Sequence, residues 1–539
     1  MNKERQIIDN AYYLSTIYLK QHYREESYQI LLSELGSFFK GENFKNCLFD
    51  EEKIITYHYL QNYLSTLNEK NNSRKKNGVY YTENDITEFI LVNLFKLTVG
   101  KDPNNIFEEK FSDNDKERIL SFSIFDPTCG TGAFLLKALE IKVKFALEKG
   151  IFEVKQIHEI VNTLFGNDVD DESILITKIR LFFCILENFG VQVAVGLSKI
   201  LNKNFYSENL FNLRIHEKFD LVVGNPPYVE DSNSEISLNE KFGNIYANVL
   251  SVSLEFMKES GSFGFIIPLS YISTPRMKKI REKLNNFLKT QIILSFADRP
   301  GCLFTSVHQK LNIIMGSKKG EDRLYTGNYQ YWYKEERPKL FASLSYINNE
   351  YSSDDYIPKL GNNIDVAIYK KIIEKEKILE SCFTEKGESL YLNMRACFWI
   401  KSFLEAHTTG EYKKLCFENE DVRNYVYCIL NSSLFWWFWI CISDCWHITN
   451  KELKNFKIPS KFDKIIVKQL SLNLENKLEN TKKYVGTKQT DYEYKHKKCL
   501  TEIHEIDEYI NNLFGLSESE SFYVKNFAIS YRTSVGIGK

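Results

Sequence analysis

The chain has 539 residues, of which 26% are charged and 43% hydrophobic, and its formal net charge is −1. That length predicts about three domains or large subdomains, and the balanced charge excludes a globally basic nucleic-acid footprint. The 11 cysteines are scattered and odd in number, which predicts free thiols in a reducing interior and excludes a disulfide framework. The opening Met1-Asn2-Lys3-Glu4-Arg5 is charged and has no apolar stretch of signal length. The longest apolar run, Leu434 to Ile442, is too short to span a bilayer. A cytoplasmic protein with no membrane partner is expected.

Residues 1–75 read as three short amphipathic helices, with apolar positions at Ile7, Ile8 and Leu14, then Leu31, Leu32 and Leu35, then Leu60, Leu64 and Leu67. The polar stretch Asn71 to Asn77 separates these helices from the next domain. Gly78-Val79-Tyr80-Tyr81-Thr82 opens a predicted helix from Asn84 to Leu97, for which Thr82 is an ordinary N-cap candidate. Ser121 to Phe125 reads as a buried strand. It runs into Asp126-Pro127-Thr128-Cys129-Gly130-Thr131-Gly132-Ala133-Phe134, and an apolar-periodic helix comes next, from Leu135 to Leu147. Strand, glycine loop and helix form the nucleotide-binding turn of a doubly wound sheet, where small residues let the backbone approach a ligand. The loop lacks the G-x-G-x-x-G spacing, which argues against a dinucleotide. After a helical stretch from Phe152 to Val161, Leu164 to Asp170 reads as the second strand and its end. An acidic side chain there can bind both ribose hydroxyls of a nucleoside, while Asp170 is placed to cap the next helix.

Phe219 to Gly224 reads as another buried parallel strand, followed by Asn225-Pro226-Pro227-Tyr228. Proline fixes its own φ and pushes the preceding residue out of the helical region. The four residues make a rigid notch that offers an amide and backbone carbonyls to a flat exocyclic amino group, with Tyr228 placed to stack on the ring. A plain proline turn is the bland alternative. Gly243 to Ala247 opens a predicted amphipathic helix to Lys258, and Gly261 to Pro268 reads as a turn and strand. A break at Ser317 to Asp322 precedes an aromatic-rich mixed region, roughly Leu324 to Pro459. Residues 461–515 read as long helices. Between Lys451 and Leu500 there are 13 Lys against 6 Asp or Glu, a segment able either to track phosphates or to be a solvated helix face. Cys441, Cys445 and His447 lie close together, with Cys428 the one obvious fourth ligand; the spacing does not match a structural zinc site, and no metal is expected.

The glycine loop followed by Asn-Pro-Pro-Tyr resembles the DNA adenine-N6 methyltransferases that use S-adenosylmethionine, and more closely the gamma-class enzymes of restriction–modification systems. The resemblance covers roughly residues 76–315 motif by motif, and the rest more loosely. It implies an α/β fold: a doubly wound, Rossmann-like class I methyltransferase domain at 76–320, after a short helical N-terminal region (1–75). A mixed α/β target recognition domain (321–460) and a helical C-terminal region (461–539) would complete the chain. By resemblance, Tyr81, Thr82, Asp126, Thr128, Gly130, Gly132, Asp168 and Glu208 bind the cofactor, with Asp168 on the ribose and Glu208 (or Asn209) on the adenine amino group. Asn225, Pro226, Pro227 and Tyr228 are the catalytic set. Tyr246 shapes the target pocket, and Phe304, in Cys302 to Val307, is either a second stacking ring or core. Arg395 and Lys401, on either side of Trp399, are candidate DNA contacts.

The implied reaction methylates the N6 amino group of an adenine rotated out of double-stranded DNA. Asn225 and the Pro226 carbonyl position the amine, and no covalent enzyme intermediate is needed. Cys129 raises a covalent cytosine-type mechanism, which would require Cys where this chain has Tyr228. Two rivals are a protein-glutamine N5 methyltransferase, which leaves some 220 C-terminal residues without a counterpart, and the methyltransferase part of a bifunctional restriction–modification enzyme. For a fused nuclease, Asp50-Glu51-Glu52-Lys53 carries an acidic-x-Lys pattern, but only about 75 mostly helical residues are available. The expected partner is double-stranded DNA, bound as a monomer in a prokaryotic cell, and the enzyme acts either beside a separate restriction endonuclease or in an orphan role.

Overall fold

The computed structural model describes residues 3–39, 53–67, 82–233, 240–304, 308–406, 411–486 and 492–533. The chain divides into two compact units. The first comprises Met1–Tyr271, Lys279–Ile293 and Cys302–Tyr325; the second comprises Ile272–Lys278, Leu294–Gly301 and Thr326–Lys539.

The first unit is built on the strands β1 (Ile124–Asp126), β2 (Leu164–Asp168), β3 (Phe205–Ser207), β4 (Phe219–Gly224), β5 (Met257–Pro268), the first part of β6 (Thr290–Phe296) and β7 (Leu311–Ser317). Their order in the sheet is β3-β2-β1-β4-β5-β7-β6. The pairs β2–β3, β1–β2, β1–β4 and β4–β5 are parallel, and β7 lies antiparallel to β5. This is the doubly wound, Rossmann-like architecture expected from the motif order. The strand order reverses between β1 and β4, and in open sheets of this kind ligands bind outside the carboxyl ends of the strands at such a point. β4 is buried along its whole length, as expected of a mostly apolar strand covered on both faces, and its one charged residue, Asp220, is paired with Lys258 at 2.8 Å.

Element boundaries differ from expectation in three places. β1 starts at Ile124 rather than Ser121, because Ser121 closes the helix Asp113–Ser121. The helix after the glycine loop runs Ala133–Glu148. The predicted helix from Gly243 to Lys258 is shorter: it spans Ile245–Ser253, one 3-10 turn comes after it, and β5 begins at Met257. β5 pairs Met257 with Phe219 of β4, so tertiary pairing overrides the local periodicity.

Helices Lys3–His22, Glu25–Gly36 and Tyr57–Thr66 pack on this unit through polar links as well as apolar faces. The Tyr18 hydroxyl donates to Glu187 Oε2 at 2.7 Å. Glu34 accepts the backbone N–H groups of Gly196 and Ser198 (2.9 and 3.3 Å), satisfying orphan donors at the start of helix Leu197–Asn204. Gln61 exchanges two hydrogen bonds with Arg180: Nε2 donates to the Arg180 carbonyl (3.0 Å) and Oε1 accepts from Arg180 Nε (3.1 Å). Arg180 also donates to the Thr131 carbonyl. The N-terminal helices therefore brace the glycine loop through one buried guanidinium. Asp50 to Glu52 lie outside the described residues.

The second unit holds a four-stranded antiparallel sheet, in the order Phe383–Thr384, Tyr412–Phe417, Glu388–Asn393, Ser402–Phe403. It also contains the helices Glu420–Asn431, Ser433–Ile442, Lys464–Thr481 and Leu500–Phe514. The run Leu434 to Ile442 lies in a fully buried helix, bent 62° from the one before it. Among the described residues, no single helix is long and apolar enough to cross a membrane. The long helices expected at 461–515 are Lys464–Thr481 and Leu500–Phe514, and a two-stranded antiparallel pair, Lys483–Tyr484 with Tyr492–Glu493, lies between them. Arg532 is buried with its guanidinium 4.1 Å from the ring centroids of both Trp399 and Trp436. Such contacts are strengthened by desolvation.

Lys142 is a fully buried cation in the helix after the glycine loop. Its Nζ donates to the carbonyls of Leu120 (3.3 Å) and Phe122 (2.6 Å) and to Thr163 Oγ1 (2.6 Å), tying the helix to the starts of β1 and β2. Burial pulls its pKa down to about 7. Between about 7 and the unfolded value of 10.5 the unfolded chain keeps a proton that the folded chain has released, so stability rises with pH across that window. Below it the desolvation cost is fully present. Lys142→Met should leave three acceptors unpaired, lowering the thermal unfolding midpoint, and should remove the rise between pH 7 and 10. Midpoints measured across that range on both proteins test this; parallel curves would refute it.

Candidate active site

The carboxyl ends of β1, β2 and β4 meet around the point where strand order reverses. Asp126 ends β1, is only 2% exposed, and accepts the Thr128 N–H on Oδ1 at 3.0 Å. Burial raises its pKa well above the usual carboxylate range against the pull of the Thr128 N–H, and the charge of Asp168 adds to the rise. A Cβ at Gly224, the last residue of β4, would lie 3.0 Å from Asp126 Oδ1 and 3.0 Å from the Phe265 ring. Glycine is what lets the two strand ends approach.

The glycine loop turns on left-handed residues, Gly130 (φ 53°) and Gly132 (φ 78°). The Gly130 N–H donates to Asp168 Oδ2 at 2.8 Å, and Asp168 Oδ1 accepts the Asp170 N–H at 3.1 Å. Two backbone amides thus orient one half-buried carboxylate at the end of β2. Asp170 stands at the N-cap of helix Asp171–Phe189, as expected, but its carboxylate accepts the Ser173 hydroxyl (2.7 Å) instead of a helix N–H. Thr177 of that helix donates its hydroxyl to the Gly130 carbonyl at 2.9 Å, and a Cβ on Gly132 would lie 2.6 Å from Thr177 Cγ2.

Asn167 carries no signal in the sequence beyond its place before Asp168, yet it organises the loop. Its Nδ2 donates to the carbonyls of Pro127 (3.1 Å) and Glu208 (3.0 Å), and its own carbonyl accepts the Cys129 N–H (2.8 Å). The buried Asn167 Oδ1 and Thr128 Oγ1 have no hydrogen-bond partner among the described residues. Buried polar atoms are normally paired, so both mark capacity for a polar ligand or ordered water. The Glu208 side chain is exposed. Val169, next to Asp168, is 76% exposed. Burial and the negative charges of Asp126 and Asp168 push the Cys129 thiol well above its ordinary pKa, which leaves it protonated and a poor nucleophile.

Asn225 comes directly after β4 and is half-buried. Its Nδ2 donates to Thr82 Oγ1 at 3.1 Å, and its Oδ1 accepts the Tyr228 hydroxyl at 2.5 Å. The same hydroxyl lies 3.1 Å from the Ile266 carbonyl of β5. Tyr246 is buried, meets the Tyr228 ring edge-on at 6.5 Å, and shares a 2.9 Å hydrogen bond with Ser270 Oγ. Pro226 is buried and Pro227 half-buried. Phe304 is buried, and its carbonyl accepts the Cys302 thiol at 2.9 Å. Tyr81 and the 78–81 segment lie outside the described residues, as do 305–307.

Within the second unit, Arg395 is 57% exposed and ion-paired with Glu411 at 3.1 Å. Lys401 is half-buried, and desolvation lowers its pKa. Cys428 and Cys445 are buried, each with its thiol on a backbone carbonyl, whereas His447 pairs with Asp444.

Residues 162–301, which carry β2, β4 and the Asn-Pro-Pro-Tyr notch, match the family described as Eco57I restriction-modification methylase. The chain is a relative of the restriction–modification methyltransferases. It is 21% identical over 293 residues to the type II restriction enzyme and methyltransferase RM.Eco57I of Escherichia coli, covering 44% of this chain and 29% of that one. It is 25% identical over 236 residues to the type II methyltransferase M.BstVI of Geobacillus stearothermophilus, covering 41% and 39%. The chain thus spans well under half the length of these curated relatives. A solved structure of the Type IIL restriction-modification enzyme MmeI in complex with DNA shares its fold, with a TM-score of 0.56 at 11% identity, covering 87% of this chain and 81% of that one.

Gly132→Ala in this methyltransferase relative should combine left-handed backbone strain with a clash against Thr177. The expected cost is ~1–3 kcal/mol, read as a lower midpoint in denaturant unfolding. An unchanged midpoint would show that the loop relaxes freely.

Proposed function

We infer that the chain is a site-specific DNA methyltransferase that transfers a methyl group to the N6 amino group of an adenine in double-stranded DNA. The observation that carries this reading is the Asn225 amide, held at both ends beside the Tyr228 phenol, at the carboxyl end of β4. An amide oxygen in a fixed plane is an acceptor for an exocyclic amine. An aromatic amine is a weak nucleophile because its lone pair is delocalised. Hydrogen bonds from it to Asn225 Oδ1 and the Pro226 carbonyl favour a tetrahedral nitrogen, and this preorganisation is the main catalytic contribution of the chain. A paired adenine does not reach such a notch, so the base enters flipped out of the duplex, against Tyr228 and with Tyr246 behind it. The protonated Cys129 disfavours a covalent route.

The residues fit S-adenosylmethionine, which supplies an activated methyl group. Asp168, aimed by two backbone amides, suits a ribose diol. The orphan Thr128 hydroxyl offers a buried polar partner, and exposed Val169 offers apolar surface to a flat ring. Gly130 and Gly132 carry no side chain and let the loop backbone approach a ligand there. Asp126 fixes the loop from below by accepting the Thr128 N–H. Glu208, exposed at the end of β3, remains the candidate for the adenine amino group. DNA binding by the region 321–460, with Arg395 as one contact, belongs to the same reading, as do action as a monomer, a cytoplasmic location and pairing with a separate restriction endonuclease.

Expression in a host lacking DNA methylation, with single-molecule sequencing of its genome, tests this directly. The expected result is N6-methyladenine at one recurring sequence, absent with Asn225→Ala. A soluble chain that leaves the genome unmodified, alone and with candidate partner subunits, would overturn the reading.

The two halves of the site should also separate. Asn225→Ala should lower methyl transfer by at least about a hundredfold while cofactor affinity by calorimetry stays near native. Asp168→Ala should weaken cofactor binding first. Lost cofactor affinity in the Asn225 variant, or native affinity in the Asp168 variant, would reassign those roles.

A further inference from the structure

Thr82 stands just ahead of the helix Asn84–Val99, where a threonine hydroxyl ordinarily accepts a helix N–H. It does not do so here. The N-cap residue is Glu83, and no side chain caps the helix. The Thr82 side chain is instead directed into the unit: the residue is 4% exposed, and its hydroxyl oxygen accepts Asn225 Nδ2 across 143 positions of chain. At the other end of the same amide stands the Tyr228 hydroxyl, which has one proton and two acceptors within reach, Asn225 Oδ1 at 2.5 Å and the Ile266 carbonyl at 3.1 Å.

That geometry gives the two hydroxyls different duties. Asn225 Oδ1 has two lone pairs, so an arriving amine either shares it with the phenol or displaces the phenol toward the Ile266 carbonyl. Thr82 meets the amide at its nitrogen rather than at Oδ1, so its hydrogen bond persists whether or not the Tyr228 bond is exchanged. We propose that Thr82 is a positioning residue for methyl transfer. Its hydroxyl oxygen holds the plane of the Asn225 amide, so that Oδ1 keeps its aim at the target amine whether or not Tyr228 releases it. The proposal rests on the role inferred above for Asn225. It assigns Thr82 a duty toward the substrate amine, distinct from contact with the cofactor.

The test compares native chain, Thr82→Val (the same shape without the acceptor), Thr82→Ala as a second acceptor-free variant, and Thr82→Ser, which keeps the hydroxyl. Methyl transfer from labelled S-adenosylmethionine to DNA carrying the recognised sequence is measured at saturating concentrations, beside calorimetric cofactor affinity. The expected result is a fall in kcat on the order of 10- to 100-fold for Val and Ala. Cofactor affinity should stay within about twofold of native, and Ser should recover most of the loss. Native kcat in a folded Val or Ala variant would overturn the proposal. A loss confined to cofactor affinity would return Thr82 to the cofactor site, and failure of Ser to rescue would assign the effect to packing of the methyl group. A native chain that methylates no DNA would instead remove the reading of Asn225, a failure visible before any variant is made.

Discussion

The site depends on how closely the ends of β1 and β4 approach. Parallel strands on opposite sides of the reversal diverge in their connections, and the cleft between them is where a doubly wound sheet binds its ligands. In this chain the cleft is closed at its base by a carboxyl group, Asp126, against a residue with no side chain, Gly224. A larger residue at 224 would push the strand ends apart and carry Asn225 with them. Burial raises the pKa of that carboxyl, and the neighbouring Asp168 charge adds to the rise, while the Thr128 N–H opposes it. The loop above it hangs on backbone hydrogen bonds: Thr128 N–H to Asp126, Cys129 N–H to Asn167, Gly130 N–H to Asp168.

Support for this corner comes from distant parts of the sequence. Arg180, in the helix after β2, donates to the Thr131 carbonyl on one side and to Gln61 on the other. Removing one partner of such a buried group leaves a desolvated charge imperfectly satisfied, which is more costly than the bond was favourable. The N-terminal helices are thereby coupled to the shape of the glycine loop, although they supply none of the residues assigned to chemistry.

Much of the first unit is legible because its signals are local. Apolar runs ending in Asp126, Asp168 and Asn225 mark buried strands, and the small residues between strand and helix mark the turn. The helix-to-strand change at Met257 is not legible, since amphipathic spacing in 245–258 holds until β4 captures the chain by pairing. Nor is the two-stranded pair inside 461–515, whose lysine-rich sequence has no β-branched alternation. Within the site, the acceptor for Asn225 is visible only in three dimensions, because Thr82 reads locally as a helix cap. Asn167 escapes notice for a related reason: strand alternation says which face a side chain takes, but not that it bridges two neighbouring strand ends. Lys401 looks like a surface cation from its spacing about Trp399, whereas its side chain is half-buried.

If the notch receives a base as proposed, the single proton on the Tyr228 hydroxyl bears on which base it accepts. Asn225 Oδ1, the Pro226 carbonyl and the Ile266 carbonyl all accept hydrogen bonds and donate none. A purine with an amino group at position 6 brings the hydrogens this corner lacks. A 6-keto purine brings another oxygen, which can be satisfied there only if the Tyr228 hydroxyl turns its single proton to it. Sites built to receive a hydrogen reject its absence far more strongly than apolar pockets reject a methylene. On the proposed reading, part of the discrimination between adenine and guanine would lie in this corner itself.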